Sequence, residues 1–288
     1  MGRNVAAEPT ARRLAGKPVA AAVLDRVAAD VAAMPAPPRL VFVRVGEDPA
    51  SASYVRSKER SALKTGIDAS TIVLDESTSQ AELEQLLGRL SADDSVDGIL
   101  LQLPLPTGLD ATPAIACIDP DKDVDGLQPI NVGRLWNGED GLFPCTALGL
   151  IEILDHYGIE IGGREVVIVG RSQLVGKPAA ALFLRRNATV TIAHSRTRDL
   201  AETCRRADIV VAAVGVPGLI TRGMVKPGAA LLDVGLTRVD GQIRGDISPD
   251  TADVAGALTP MPGGTGLMTV AMLLVNTVTA ARRRRGTA

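Results

Sequence analysis

Short apolar runs alternate with longer amphipathic stretches along this chain, and that alternation limits the fold more than any other feature. In the first half the runs lie at 40–45, 69–74 and 99–102. The first is followed by the turn Gly46-Glu47-Asp48-Pro49 and by residues 53–65, which hold neither proline nor glycine until Gly66 and read as a helix. Residues 79–90 are again amphipathic, and Asp97-Gly98 turns into the third run. Strand, helix, strand, helix, strand is the order that gives a parallel sheet with right-handed crossovers. A further helix is predicted over 19–34, ended by Pro35-Ala36-Pro37-Pro38. Residues 1–13, rich in Ala, Pro, Thr and Arg without periodicity, are expected to form a loose extension, with structure from Leu14.

The second half repeats the alternation. A helix over 147–157 precedes a strand at 166–169, which runs straight into Gly170-Arg171-Ser172-Gln173-Leu174-Val175-Gly176 and a helix after Pro178. A glycine-punctuated turn between a buried strand and a helix N-terminus suits a pyrophosphate, because free backbone N–H groups and the helix dipole point at it. The spacing is not Gly-x-Gly-x-x-Gly, so the turn gains its meaning from the strand after it. That strand, 189–193, ends in His194-Ser195-Arg196 with no acid to hold a ribose 2′-hydroxyl. Ser195 with Arg171 and Arg196 suits a 2′-phosphate, which favours NADP over NAD. Strands over 208–214 and 230–234 end at Gly215 and Gly235, where small residues allow close approach of nicotinamide and ribose. Residues 239–242 read as a hairpin, and a loop over 259–266 leads into a long helix at 267–281.

Candidate chemistry clusters at strand ends. Tyr54 and Lys58 stand four residues apart on one helix, which sets their Cβ atoms roughly 5 to 6 Å apart on one face. Gln102 ends the third run and is followed by Leu103-Pro104-Leu105-Pro106, which neither continues a ladder nor starts a helix at once. Ligands of open parallel sheets collect beyond the carboxyl ends of the strands, and both Gln102 and the Lys58 helix face that side. The segment 119–126 holds Asp119, Asp121, Asp123 and Asp125. A calcium loop would place Glu at position 130, which is Ile, so no metal is expected. Either a loop acid bonds an amine-rich heterocycle, or the charges are those of a solvated turn.

Composition sets the outer limits. A chain of 288 residues, 46% hydrophobic and with a formal net charge of −2, suits a globular protein of about two domains. Near-neutral charge and 2% aromatic residues argue against nucleic-acid binding. No apolar run approaches the roughly 18 to 20 residues that cross a bilayer, and the N-terminus lacks a signal-peptide core, so no membrane is expected and the protein is read as cytoplasmic. Cys117, Cys145 and Cys204, with only His156 and His194 to join them, fit neither a disulfide framework nor a zinc site. The arginines at 282–285 read as a solvated helix end favoured by the macrodipole rather than a binding patch.

Taken together and in order, Tyr54-x-x-x-Lys58, Gln102-Leu103-Pro104-Leu105-Pro106, Lys122-Asp123-Val124-Asp125-Gly126, Pro144-Cys145-Thr146, the turn at 170–176 and Pro262-Gly263-Gly264 resemble the bifunctional methylenetetrahydrofolate dehydrogenase/methenyltetrahydrofolate cyclohydrolase (FolD) family. Short-chain dehydrogenases also carry Tyr-x-x-x-Lys, but after their dinucleotide turn; here it comes more than a hundred residues before. The resemblance implies an α/β fold of two domains, with the active site in the cleft between them. It assigns 14–146, completed by the helix at 267–285, to a folate domain and 147–266 to a Rossmann-type NADP domain. It implies that Lys58 is essential for the cyclohydrolase step, that Tyr54 stacks on and positions the folate, that Gln102 tunes the lysine and that Asp125 holds the pterin. Leu103 and Pro262, Gly263 and Gly264 would line the folate. Gly170, Arg171, Ser172, Val175, Gly176, Ser195, Arg196, Gly215, Gly235 and Thr237 would bind NADP. A homodimer is implied as well.

The chain departs from the family pattern at Ala15, Ala147, Thr237 and Leu267, none of them a catalytic position there. Two other functions stay open beside the bifunctional enzyme. One is an NADP-dependent dehydrogenase whose hydrolase step is weak or lost. The other is a non-catalytic NADP-binding regulator, which would have no use for Tyr54, Lys58, Gln102 and Asp125 together.

Overall fold

The computed structural model describes residues 11–286. The chain divides into two compact units, one taking the segment up to Val19 with Gly149–Met268, the other Ala20–Leu148 with the segment from Thr269 onward. Of the expected loose extension, residues 1–10 lie outside the described residues. Its last part is a correction: Arg12–Arg13 is a short strand, parallel to Ala257–Leu258. Backbone hydrogen bonds and the Arg12 guanidinium, which donates to Tyr157 O at 2.8 Å and lies over the Tyr157 ring, hold this edge piece, so no apolar pattern announces it.

The smaller sheet has three parallel strands in the order Asp68–Leu74, Arg39–Val45, Gly98–Leu101. Arg39–Val45 is central and buried at every position after Arg39, which is why residues 40–43 read as a continuous apolar run rather than an alternating one, with only Arg44 breaking it before Val45. The helix Pro49–Lys64 leaves its carboxyl end; Asp48 accepts from Ser51 N at 2.7 Å to cap it, and Pro49 fills a first-turn position where no N–H is needed. Gln80–Ala92 opens with a capping box between Ser79 and Glu82 and buries Leu83 and Leu87 in one cluster with Val41, Val43, Ile99 and Leu101. Each such leucine contributes about 1.5 to 3 kcal/mol of burial.

The helix Met268–Arg284 completes this unit. By length and composition Thr265–Arg284 is apolar enough to cross a membrane, contrary to the expectation that no stretch would be, yet most of it is buried inside the fold. It passes close to the sheet at Gly98, where an added Cβ would sit 2.7 Å from Val124 and 3.6 Å from the Thr277 methyl. Its basic end is not the solvated run expected. The Asp97 carboxylate, 2% exposed, accepts from Arg39 N at 2.8 Å, Arg284 Nη1 at 3.4 Å and Arg285 Nη2 at 2.5 Å. Arg285 Nη1 also donates to Ala36 O, and Arg284 Nη1 to Val96 O.

The larger sheet runs Arg12–Arg13, Ala257–Leu258, Ala230–Asp233, Ile209–Ala212, Glu165–Val169, Thr189–Ala193, all parallel. Strand order therefore reverses at Glu165–Val169, which pairs on one side with the next strand in the chain, Thr189–Ala193, and on the other with the one after it, Ile209–Ala212. Such a reversal opens a crevice beyond the carboxyl ends. Val167, Val169, Val210, Ala212 and Leu231 share one buried cluster, while their alternates Val166, Ile168, Ile209 and Val211 are buried too. The expected hairpin forms between Thr237–Val239 and Gln242–Arg244, with Asp240 at φ 50° and Gly241 at φ 77° as a two-residue turn demands.

Asp97→Ala removes a buried carboxylate from two arginines and is expected to cost about 3 to 5 kcal/mol. The check is urea unfolding, read as a lower midpoint. Asp30→Ala, which takes away only the half-exposed partner of Arg282, should cost less than about 1 kcal/mol.

Candidate active site

Two parallel neighbours deliver the first group of side chains to one end of the smaller sheet. Gln102 follows Gly98–Leu101 and anchors its N–H on Val43 O at 2.8 Å, while Lys58 lies in the helix that leaves the adjoining strand. Lys58 is 4% exposed, and its Nζ donates to Gln102 Oε1 at 3.1 Å. The amide end of Gln102 is committed, since Nε2 donates to Leu103 O, so its oxygen faces the lysine. One helical turn before, the Tyr54 ring centroid lies 4.5 Å from Nζ, a cation–π distance. Burial pulls the Lys58 amine below the ordinary lysine value, with Asp125 and then Cys145 opposing it. A neutral carbonyl accepts from the amine in either protonation state, whereas a carboxylate in its place would favour the cation. The Tyr54 phenol is pushed up, chiefly by burial and next by Asp125, and stays a neutral donor. The residue as a whole is still 40% exposed, which leaves room for a flat ligand.

The acidic segment sorts into structural and available groups. Asp123, 2% exposed, accepts from Gln128 N at 2.7 Å, Gly126 N at 3.2 Å and Asn131 Nδ2 at 3.4 Å, and burial pushes it to about 7. Lys122 is buried as well, donating to Ser91 O at 2.6 Å and Asp93 O at 2.7 Å. Asp121 pairs with Arg134 at 2.6 Å. Gly126 has φ 72°, and a Cβ there would lie 2.3 Å from the Phe143 carbonyl carbon, so the loop closes only on glycine. Asp125 is left half-buried and electrostatically coupled to Lys58, Tyr54 and Cys145. Burial raises it and Lys58 lowers it.

In the larger unit every nucleotide-site candidate sits at or after a strand's carboxyl end. Gly170 follows Glu165–Val169 at φ 133°, with a would-be Cβ 2.4 Å from Ala213 O; at Gly176 the same atom would lie 2.3 Å from Gly170 O. Both glycines are thus required by close approach, and they bring Val175 and Gly176 to the N-terminus of Gly176–Arg185. Ser172 Oγ accepts from Val175 N at 3.1 Å and Gly176 N at 3.3 Å, so its hydroxyl shapes the turn. Ser195 and Arg196 are exposed after Thr189–Ala193, in a turn fixed by Thr197 Oγ1 on His194 N at 2.9 Å. Gly215 has φ 71° and its carbonyl accepts from Thr237 Oγ1 at 3.1 Å. Gly235 follows Ala230–Asp233, and Pro262, Gly263 and Gly264 follow Ala257–Leu258, with Gly263 O accepting from Gly16 N at 2.9 Å. These short-range features, a helix N-terminus with glycines that admit no Cβ, fit a dinucleotide phosphate.

Two family models match the chain, the tetrahydrofolate dehydrogenase/cyclohydrolase catalytic domain over residues 14–125 and the tetrahydrofolate dehydrogenase/cyclohydrolase NAD(P)-binding domain over 144–285. The chain belongs to the tetrahydrofolate dehydrogenase/cyclohydrolase family. It is 50% identical over 275 residues to the bifunctional protein FolD of Thermus thermophilus, across 96% of this chain and 98% of that one. The structure is similar to that of the bifunctional enzyme FolD from Campylobacter jejuni, with TM-score 0.91, 39% identity and coverage of 94% and 98% of the two chains. It also matches the Trypanosoma brucei enzyme solved with NADP and an inhibitor, with TM-score 0.88, 38% identity and coverage of 96% and 98%. Like its relatives in the tetrahydrofolate dehydrogenase/cyclohydrolase family, this chain is an enzyme with both activities, which sets aside the half-active and silent readings.

Sequence reasoning gathered Tyr54, Lys58, Gln102 and Asp125, and they do meet. Leu103 follows Gln102 directly, partly buried against the cluster that holds Leu83 and Leu87, and its carbonyl accepts from Gln102 Nε2. Two further residues support the Gly126 loop, Cys145 of the Pro144-Cys145-Thr146 motif and Asn276, which no motif marks. Cys145 donates to Val124 O at 3.3 Å, and Asn276 Nδ2 donates to Val124 O and Phe143 O, both at 2.9 Å, pinning the backbone on either side of Gly126. A lone amide within an apolar helix was the available signal for Asn276. Gln102→Glu should raise the lysine pKa, so the amine is protonated up to a higher pH. The acid limb of the hydrolysis pH–rate profile then moves upward by about one to two units, as a kcat/KM titration would record.

Proposed function

We propose that Lys58 is the base of the cyclohydrolase step. One observation carries this: an amine buried against a neutral acceptor, with its pKa depressed by that burial. Water attacks the cationic methenyl carbon, forming the new C–O bond, and its proton passes to Lys58 Nζ. That proton is passed to N5 as the carbon–N5 bond breaks, while the remaining hydroxyl proton leaves to solvent and the C=O forms, giving the 10-formyl product with one proton released overall. A positive substrate near Nζ favours the neutral amine further. Tyr54 offers its ring to the folate, and Asp125 accepts from the amines of the pterin. Gln102 keeps Nζ in place without a charge of its own.

NADP is the dinucleotide of our reading, held at 170–176, with Arg171, Ser195 and Arg196 on its 2′-phosphate and Gly215, Gly235 and Thr237 near the ribose and nicotinamide. When bound it accepts hydride from the folate methylene. That transfer needs no strong base, so the residues contribute by positioning. Residues 14–146 with 267–285 make the folate domain in this assignment and 147–266 the nucleotide domain, with Leu103 and Pro262, Gly263 and Gly264 beside the folate.

A homodimer in the cytoplasm completes the proposal. In support of the dimer, Asp68–Leu74 is an edge strand carrying exposed Val73, and Leu63 is exposed on the helix packed beside it. In support of the compartment, Cys117, Cys145 and Cys204 are free thiols, the ordinary state in reducing surroundings.

Lys58→Met should abolish hydrolysis of methenyltetrahydrofolate while NADPH formation from methylenetetrahydrofolate stays measurable; retention of most hydrolysis would remove Lys58 from the step. Arg196→Ala should lower the preference for NADP over NAD by about tenfold, the loss of one charge-assisted phosphate contact, as steady-state kinetics with both nucleotides would show.

A further inference from the structure

Two buried carboxylates, Asp246 and Asp233, stand behind the Val214–Gly215 turn. Asp246 is 0% exposed, and its Oδ2 accepts from Val214 N at 2.6 Å and Gly215 N at 3.0 Å. Its Oδ1 is buried and has no hydrogen-bond partner. Asp233, 2% exposed, accepts from Gly235 N and Asp246 N through Oδ1 and from Ile247 N through Oδ2, each at 3.0 Å. The pair excludes side chains around it. A Cβ on Gly235 would fall 2.1 Å from Asp246 Oδ1, and one on Gly245 would fall 1.9 Å from Asp233 Oδ2. Burial first, and Asp246 among the further causes, pushes Asp233 up to about 6.

Placing a carboxylate here, one oxygen unpaired and a second acid beside it, is costly, and packing alone is served better by an apolar side chain. What only an acceptor supplies is a fixed direction for two adjacent amides of an otherwise exposed turn. We propose that Asp246 is a positioning residue of the dehydrogenase: it holds the Val214–Gly215 turn in the shape that seats the nicotinamide end of the cofactor. Gly215 then needs its positive φ to turn both amides inward, and Thr237 Oγ1 secures the same turn through the Gly215 carbonyl. The hydrolysis step, carried by Lys58 and its neighbours, makes no use of this clamp. The inference rests on Gly215 being a cofactor contact.

The test uses the full chain with Asp246→Ala and Asp246→Asn. Alanine leaves two amides unsatisfied and should lower dehydrogenase kcat/KM for NADP by about tenfold to a hundredfold. Asparagine keeps an acceptor and should recover activity to within about threefold of the parent. Methenyl hydrolysis consumes only water and needs no nucleotide, so it should stay within about twofold in both. Backbone amides 214 and 215 should exchange faster in the alanine variant. Unchanged dehydrogenase activity, an equal fall of both activities, or an asparagine variant no better than alanine would each overturn the assignment. Amide exchange of the parent separates the two readings. If NADP fails to slow exchange across 213–218, the Gly215 contact is wrong; if NADP slows it and Asp246→Ala keeps full activity, only the role of Asp246 falls.

Discussion

A lysine amine kept out of water with a single neutral acceptor is the constraint that the rest of the catalytic unit serves. An ordinary lysine is protonated at neutral pH, and each unit by which its pKa falls corresponds to about 1.4 kcal/mol of differential environment. Burial supplies that environment only if nothing nearby restores the charge. Gln102 meets the condition because its own amide is spent on Leu103 O, leaving oxygen as the sole face toward Nζ. Asp125 works against it, and is held at a distance set by a loop with its own anchors in Gly126, Asn276 and Cys145. The balance between the two carbonyl-bearing neighbours, one neutral and one acidic, is a matter of backbone placement more than of side-chain choice.

The nucleotide unit solves a different problem with the same sheet geometry. There the requirement is access rather than burial, and it is met where strands end in residues without a side chain. Gly170 and Gly176 approach each other and Ala213 so closely that any Cβ would collide with backbone. That closeness brings Val175 and Gly176 to a helix start, where partial positive charge accumulates. Exposed Ser195 and Arg196 stand at the next strand end. One unit thus hides a charge-bearing group, while the other presents its polar groups.

The alternation of apolar runs and amphipathic stretches was legible because parallel strands buried on both faces have few choices of residue. Strand limits such as 189–193, and the hairpin around Asp240-Gly241, followed from local rules alone. The short helices Ala111–Ala116, Pro129–Asn137 and Leu200–Arg205 did not, being too brief for a period to show. Tyr54 and Lys58 could be paired from spacing, and their meeting with Gln102 from strand order. The roles of Asn276, Asp246 and Asp97 are set by partners far away in sequence, up to 188 positions in the case of Arg285 with Asp97. Nothing in a window of neighbours carries that information. The arginine run misled for this reason: charge at a helix end is usually solvated, and only the buried acid opposite made it otherwise.

Asp97 and its arginines have a consequence for biogenesis. The catalytic unit is discontinuous in the chain, with Gly149–Met268 folded as a separate body before the sequence returns in Thr269 and the residues after it. Its sheet, its lysine and its acidic loop are all synthesised early, but the strap that covers Gly98 and grips Asp97 emerges from the ribosome only after the whole of Gly149–Met268. Nascent chains must therefore keep an unfinished, apolar face through translation of the entire nucleotide unit, a period in which chaperones have their best claim on this protein.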